Sequence, residues 1–319
     1  MSVPNQSKGI VEEFIIVGFP GLQDQASKNI IFATFLFVYV CILLCNILII
    51  GIFLLDEELH TPMYLLVVNL AFSDIIITTT VVPKLLAVCS SGLNVISIPA
   101  CFIQMFFIGA TIAVESFILA LMSYDRYVAI CKPLYYFSMT NNYLVKKQII
   151  VCWVSAFIIM LFPVITTSRL QLCGSKLMSC FCENAAFHQV ACSDTTVSNY
   201  AGLVSGLFVT IGPFAFIVFS YIRIITSVLR AGSSTGYLKA FYTCSTHLLI
   251  IAVFYLVAVG TYPVGRVPNV SADMRIMAVL LQNVIPPLFN PIIYCLRTRK
   301  IRESFLKILK RNKILSSGI

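Results

Sequence analysis

The apolar positions of this chain come in long blocks rather than in alternation, and short polar breaks separate them. Seven blocks can be bounded, at about 29–55, 62–90, 99–131, 145–168, 197–230, 237–263 and 271–296. Each exceeds the roughly 20 residues that a helix needs to cross a hydrocarbon layer of ~30 Å. Lipid supplies no water to backbone amides, so every block is expected to be helical. Barrel strands would be about half that length and would alternate apolar with polar side chains, which these do not. Pro83, Pro163, Pro213, Pro286, Pro287 and Pro291 lie inside the blocks and predict kinks, which membrane helices tolerate. Beyond the last block, Ile301, Phe305 and Ile308 recur among lysines and arginines, the pattern of an amphipathic helix in the membrane interface. The expected fold is an all-α membrane protein. It is a seven-transmembrane helix bundle over 29–296, with an extracellular tail over 1–28 and a C-terminal amphipathic helix and cytoplasmic tail over 297–319.

Composition strengthens this reading. The 319 residues are 59% hydrophobic and 11% charged, whereas a soluble domain carries about 25% charged residues. No inverted repeat of the transporter type is visible. With the N-terminus outside, fifteen of the 22 lysines and arginines fall on the cytoplasmic side and six on the outer side, with Lys84 inside a span. The positive-inside rule therefore places the N-terminus outside. One segment dissents: the first inner loop, DEELH (56–60), has no lysine or arginine. The net charge of +9 is thus mostly a membrane-facing cytoplasmic property, and nucleic acid is not needed as a partner to explain it. The first 28 residues carry Glu12, Glu13 and Asp24 and lack a basic segment before an apolar core. No cleavable signal peptide is expected there, and the first span serves as the targeting signal. Asn5-Gln6-Ser7 is a glycosylation sequon in the outer tail, and Asn269-Val270-Ser271 is a second one close to the membrane.

Of the 12 cysteines, five (Cys101, Cys173, Cys180, Cys182 and Cys192) fall on the outer, oxidising side. An odd number leaves at least one unpaired, and spacing alone does not give the connectivity.

The few charges inside the spans carry the functional signal, because an isolated charge in lipid costs roughly 2.5–3.5 kcal/mol or more. Ile108, Ile112, Glu115, Leu119, Met122 and Arg126 repeat at helical spacing and form one stripe of the third span. Glu115 then lies roughly 16 Å along the axis from Arg126, at about 1.5 Å per residue. Asp74 follows Pro62 by twelve residues and lies at mid-membrane too. Two carboxylates at similar depth either share a proton or hold a small cation.

Six motifs occur in order: LHTPMY (59–64), Asp74 in the second span, MSYDRYVAIC (122–131), SYIRII (220–225), KAFYTCSTHL (239–248) and NPIIY (290–294). Together they resemble the olfactory (odorant) receptors of the rhodopsin-like G-protein-coupled class, over about residues 10–310. GFPGL (18–22) resembles the fish-like, class I, subgroup. The resemblance implies several roles. Asp74, Glu115 and Asn290 would hold an allosteric sodium ion; otherwise no cofactor is expected. Asp125, Arg126 and Tyr127 would form a switch at the cytoplasmic end of the third helix, with Tyr221, Lys239, His247 and Tyr294 taking part. Disulfides would join Cys101 to Cys182 and Cys173 to Cys192. Cys180 departs from the family pattern. The partners implied are a small odorant, membrane lipid and a heterotrimeric G protein of the stimulatory, olfactory type that raises cyclic AMP. The location implied is the plasma membrane of olfactory cilia.

By the same resemblance, the ligand would lie in the outer half of the bundle. Gly109, Ile112, Ala113, Ser205, Gly206, Val209, Tyr255, Ala258, Val259 and Tyr262 would form the walls. Ile108 stands where amine receptors carry aspartate, which argues against a simple aminergic receptor. No lysine in the seventh span means no retinal Schiff base. Arg266 would anchor a carboxylate or amino acid through its planar fork. A peptide or metabolite receptor is the nearest alternative, and an ion-coupled transporter or channel a further one. No catalytic constellation points to an enzyme.

Overall fold

A computed structural model describes residues 13–92, 94–230, 234–261, 264 and 270–316, with side chains left aside over 234–243 and 311–316. Seven helices long and apolar enough to cross a membrane are present among the described residues. They are α1 (Gln25–Leu55), α2 (Pro62–Ser90), α3 (Ile98–Cys131), α5 (Asn142–Ser168), α7 (Thr196–Arg230), α8 (Ser234–Thr261) and α9 (Ala272–Arg297). Short helices α4 (Tyr136–Met139) and α6 (Asn184–Val190) sit in the loops, and α10 (Arg299–Ser316) follows the last span.

Local chemistry sets the helix ends. Asp24 accepts from the backbone N–H of Ser27 at 2.8 Å, and Asn141 accepts from that of Leu144 at 2.9 Å. Each satisfies an amide that the helix leaves open. Proline opens α2 and α3 at a first-turn position, where its missing N–H costs nothing. Pro83, Pro163, Pro213, Pro286, Pro287 and Pro291 all lie within helices, as expected.

The bundle is organised around α3, which packs on α2, α5, α7 and α8. Its burial follows the stripe read from the sequence: Ile108, Glu115, Leu119 and Met122 are all buried. Large apolar side chains on the outer faces of α1, α5 and α7, such as Phe37, Ile158 and Phe208, are exposed. In a membrane that surface meets lipid. α10 lays Ile301 into the core and packs Phe305 and Ile308 against it, leaving basic residues outward.

The outer side holds structure that the block pattern did not anticipate. Strand β1 (Glu13–Ile16) lies between β2 (Val95–Ser97), antiparallel, and β3 (Lys176–Leu177), parallel. The outer tail is therefore not free chain over its whole length. Phe14 and Ile16 of β1 are fully buried, and Phe14 meets the ring of Phe187 at 5.3 Å while Phe187 stacks on Phe102 at 4.9 Å. A four-residue strand gives too short an alternation to stand out beside the long blocks. GFPGL finds a physical role here as well. Gly18 adopts φ 77°, and the N–H of Gly21 donates to both Asp273 oxygens at 3.1 and 3.0 Å. A Cβ on Gly21 would meet that carboxylate, so glycine lets the tail approach α9 without displacing the Asp273 side chain.

Candidate functional site

The outer half of the bundle holds a partly open cavity of about 510 Å³, within the ~300–1,000 Å³ of small-molecule sites. Gly109, Ile112, Gly206, Val209, Tyr255, Ala258 and Val259 line it. Two wall residues carried over by position, Ala113 and Ser205, do not. Each is one residue away from a lining position, and successive residues on a helix point about 100° apart. Ala113 is fully buried in the packing of α3 instead. Tyr262 and Arg266 lie outside the described residues. The sequence reading missed the contribution of α5 (Met160, Pro163 and Val164) and of the long loop (Cys182, Glu183 and Asn184). Nothing in their local spacing marks them. The polar wall groups are few, and Tyr255 shares a hydrogen bond of 3.0 Å with Ser116 on α3.

Two disulfides hold the outer face, Cys101–Cys182 and Cys173–Cys192. The first ties the long loop to the top of α3, beside the cavity. Cys180 is the outer cysteine left free; it is fully buried, and burial pushes its thiol well up.

At mid-membrane Asp74 and Glu115 are both buried. The amide of Asn290 donates to the two oxygens of Asp74 at 3.1 and 3.2 Å. Among the described residues, Oε1 of Glu115 and Oδ1 of Asn290 have no hydrogen-bond partner. Two buried acids with leftover acceptor oxygens are not stable as bare charges. The donor set is all oxygen, which suits a hard cation.

At the cytoplasmic end Arg126 pairs with Asp125 at 2.9 Å, and its guanidinium also touches Met63 at the start of α2. The phenol of Tyr136 on α4 donates to the other oxygen of Asp125 at 2.9 Å. Burial, with the Asp125 charge beside it, pushes the Tyr136 phenol up and keeps it a donor. Tyr127 is half-buried, its ring 6.5 Å from that of Tyr124. Tyr221 of α7 and His247 of α8 share a 2.7 Å hydrogen bond, so His247 meets α7 through its Nδ1. Tyr294 is buried and donates to the Met122 sulfur at 3.4 Å. Lys239 falls within α8 among residues whose side chains are left aside. Asn5 lies outside the described residues.

The acidic first inner loop also finds its partner. Lys307 of α10 contacts Asp56 at 3.2 Å and Glu58 at 2.9 Å. The Ser304 hydroxyl, joined by Lys307, holds the Asp56 carboxyl below the usual carboxylate range. α10 thus supplies a lysine to a loop that has no lysine or arginine of its own.

The sequence pattern of the olfactory receptor family matches residues 35–312. The chain is 35% identical over 316 residues to rat Olfactory receptor 1, covering 98% of this chain and 99% of that one. Rat Olfactory receptor 1468 is 34% identical over 315 residues, with the same coverage. Human Olfactory receptor 2AT4 is 34% identical over 300 residues, or 94% of this chain and 93% of that one. In three dimensions the fold is similar to that of squid rhodopsin, with a TM-score of 0.76 at 18% identity over 89% of this chain and 81% of that one. Seven apolar helices around an outer cavity, with an arginine–aspartate pair at the inner end, thus have one home: the chain belongs to the olfactory receptor family, as a multi-pass plasma-membrane receptor of the rhodopsin-like G-protein-coupled class and not an enzyme.

Proposed function

We propose that this receptor binds a small, largely apolar molecule in the outer cavity and signals through a stimulatory heterotrimeric G protein, raising cyclic AMP. One observation carries the reading. Tyr255 lines the cavity and hydrogen-bonds Ser116 of α3, the helix that ends in the Asp125–Arg126 pair. A ligand that repacks Tyr255 acts on the same rigid element that bears the switch. Differential affinity for the state with Arg126 released is what shifts the population. Asp74, Glu115 and Asn290 would hold a sodium ion that supplies positive charge between the two acids. Such an ion would favour the resting packing of α2, α3 and α9. Asn5 would carry a glycan on the outer tail. The carboxylate anchor expected at Arg266 lies outside the described residues and enters as one arm of the test.

The test is cyclic AMP in cells with verified surface expression, challenged with matched aliphatic acids, amines and alcohols. A response to any one class supports the receptor reading. An acid response that Arg266→Ala abolishes supports that anchor. Silence across the panel, with the receptor at the surface, sinks the transducer and the ligand class together. Sodium is read separately, as a rise in unfolding temperature with sodium over potassium that Asp74→Asn removes.

A further inference from the structure

The wall of the cavity is mostly apolar, and most of its polar groups are already engaged by the protein. Thr210 donates to the Gly206 carbonyl at 2.7 Å. Gln282 accepts from Thr261 at 3.0 Å. Asn184 accepts from Thr167 at 2.8 Å and from Ser198 at 3.2 Å. Tyr255 is bonded to Ser116. Glu183 differs from these in being an acid. Its Oε1 accepts from the Ser179 hydroxyl at 3.0 Å, and among the described residues nothing bonds its Oε2.

Glu183 is also held in place. It follows Cys182, whose disulfide joins the loop to α3, and the N–H of Cys182 donates to Oε1 of Gln104 on α3 at 2.9 Å. A covalent bond and a hydrogen bond thus fix the backbone beside the carboxylate. Among the described residues that line the cavity, none is basic. Asp273, another acid of the outer side, uses both oxygens on the N–H of Gly21. Glu183 is the acid that lines the apolar chamber, and its Oε2 is free of a hydrogen-bond partner among the described residues. A carboxylate ligand meets repulsion there, a neutral ligand leaves the oxygen short of a strong donor, and an ammonium completes it.

Resting on the ligand-cavity reading above, we infer that Glu183 orients the ligand and that the receptor prefers small aliphatic amines. The ammonium bonds Oε2, and the alkyl chain lies among Ile108, Ile112, Val209 and Phe214. The acid that amine receptors carry on the third helix is replaced by one delivered from the loop. Burial pushes the Glu183 carboxyl up to about 7. At physiological pH an arriving ammonium therefore displaces a proton readily and leaves no net charge in the chamber.

The experiment compares hexylamine, hexan-1-ol and hexanoate on the intact receptor and on Glu183→Gln and Glu183→Asp. Two readouts are used: cyclic AMP in cells, and ligand-induced stabilisation of the purified receptor, which needs no G protein. The expected result is hexylamine at least about tenfold more potent than hexan-1-ol, the scale of one charge-assisted hydrogen bond. Glu183→Gln removes that advantage, costing hexylamine far more than hexan-1-ol, while Glu183→Asp keeps part of it. Equal loss for amine and alcohol makes Glu183 a structural residue and overturns the inference. Hexan-1-ol or hexanoate acting while hexylamine neither binds nor signals also overturns it, with the receptor reading intact. Hexylamine that stabilises the purified receptor in a Glu183-dependent way without raising cyclic AMP keeps the inference and discards the transducer. No binding by any of the three overturns both.

Discussion

The two ends of the bundle differ in how one carboxylate at each is partnered. At the cytoplasmic end Arg126 pairs with Asp125, Asp125 with Tyr136, Tyr221 with His247, and Lys307 with Asp56 and Glu58. At the outer end the wall is apolar and the Oε2 of Glu183 has no partner among the described residues. Partnered polar groups hold an arrangement in place until something competes for them, which suits a switch. A positioned group without a partner costs free energy until a ligand completes it, which suits a binding site. On the function proposed above, one chain needs both: the outer end would supply differential affinity and the inner end two states for it to act on.

The comparison predicts separable losses. The largest effect is expected from Arg126→Ala, which brings agonist-driven cyclic AMP down to the level of cells without receptor. Ligand-induced stabilisation of the purified receptor survives, because the cavity is untouched. Loss of both readouts would mean that the two ends are not independent. Next comes Gly206→Leu. A side chain added at Gly206 meets nothing within 4 Å and so occupies the cavity rather than the packing. Agonist potency should fall by about tenfold or more, the cost of roughly two lost methylene contacts, with surface expression unchanged. An unaltered dose–response curve would place the ligand elsewhere.

A pH series sharpens the outer half of the comparison. With the Glu183 carboxyl at about 7, its charged fraction rises from about a tenth at pH 6 to about nine-tenths at pH 8, while an alkylamine stays protonated. Hexylamine potency should therefore increase several-fold over that range, and Glu183→Gln should flatten the curve. Stability runs the other way. A folded carboxyl held above its unfolded range binds more protons than the unfolded one, so its contribution to stability falls as pH rises to about 7. Glu183→Gln should accordingly unfold at an equal or higher temperature at pH 8, and a lower one would point to a structural role. The smallest effect belongs to Lys307→Ala. Lys307 is exposed, and exposed ion pairs are weak and screened by salt. Its cyclic AMP response should change by less than about twofold, and that change should vanish at high salt.

The helices were legible because their cause is local. A block of apolar residues in lipid must hydrogen-bond its own backbone, and the spans expected at about 62–90 and 99–131 end within a residue of α2 and α3. The Asp125–Arg126 pair was legible for a related reason, since a charge inside an apolar run stands out and the motif around it is contiguous. The third-helix stripe from Ile108 to Arg126 needed only the helical period. The cavity was legible in part. Positions on α3, α7 and α8 could be assigned by resemblance, but a one-residue step turned Ala113 and Ser205 away from it.

By itself, then, the chain determined how many helices cross the membrane, which way they run, and which charges are buried along them. Those properties follow from the exchange of water for lipid, which each segment experiences alone. Tertiary structure alone decided that β1 joins a sheet with β2 and β3, that the acidic inner loop meets Lys307, and that Met160 and Glu183 share a wall with Tyr255. Each of these depends on the distance between residues far apart in the chain, and no local pattern of apolar and polar positions encodes such a distance. The bundle sets it through packing and through the Cys101–Cys182 bond, which carries Glu183 to the cavity.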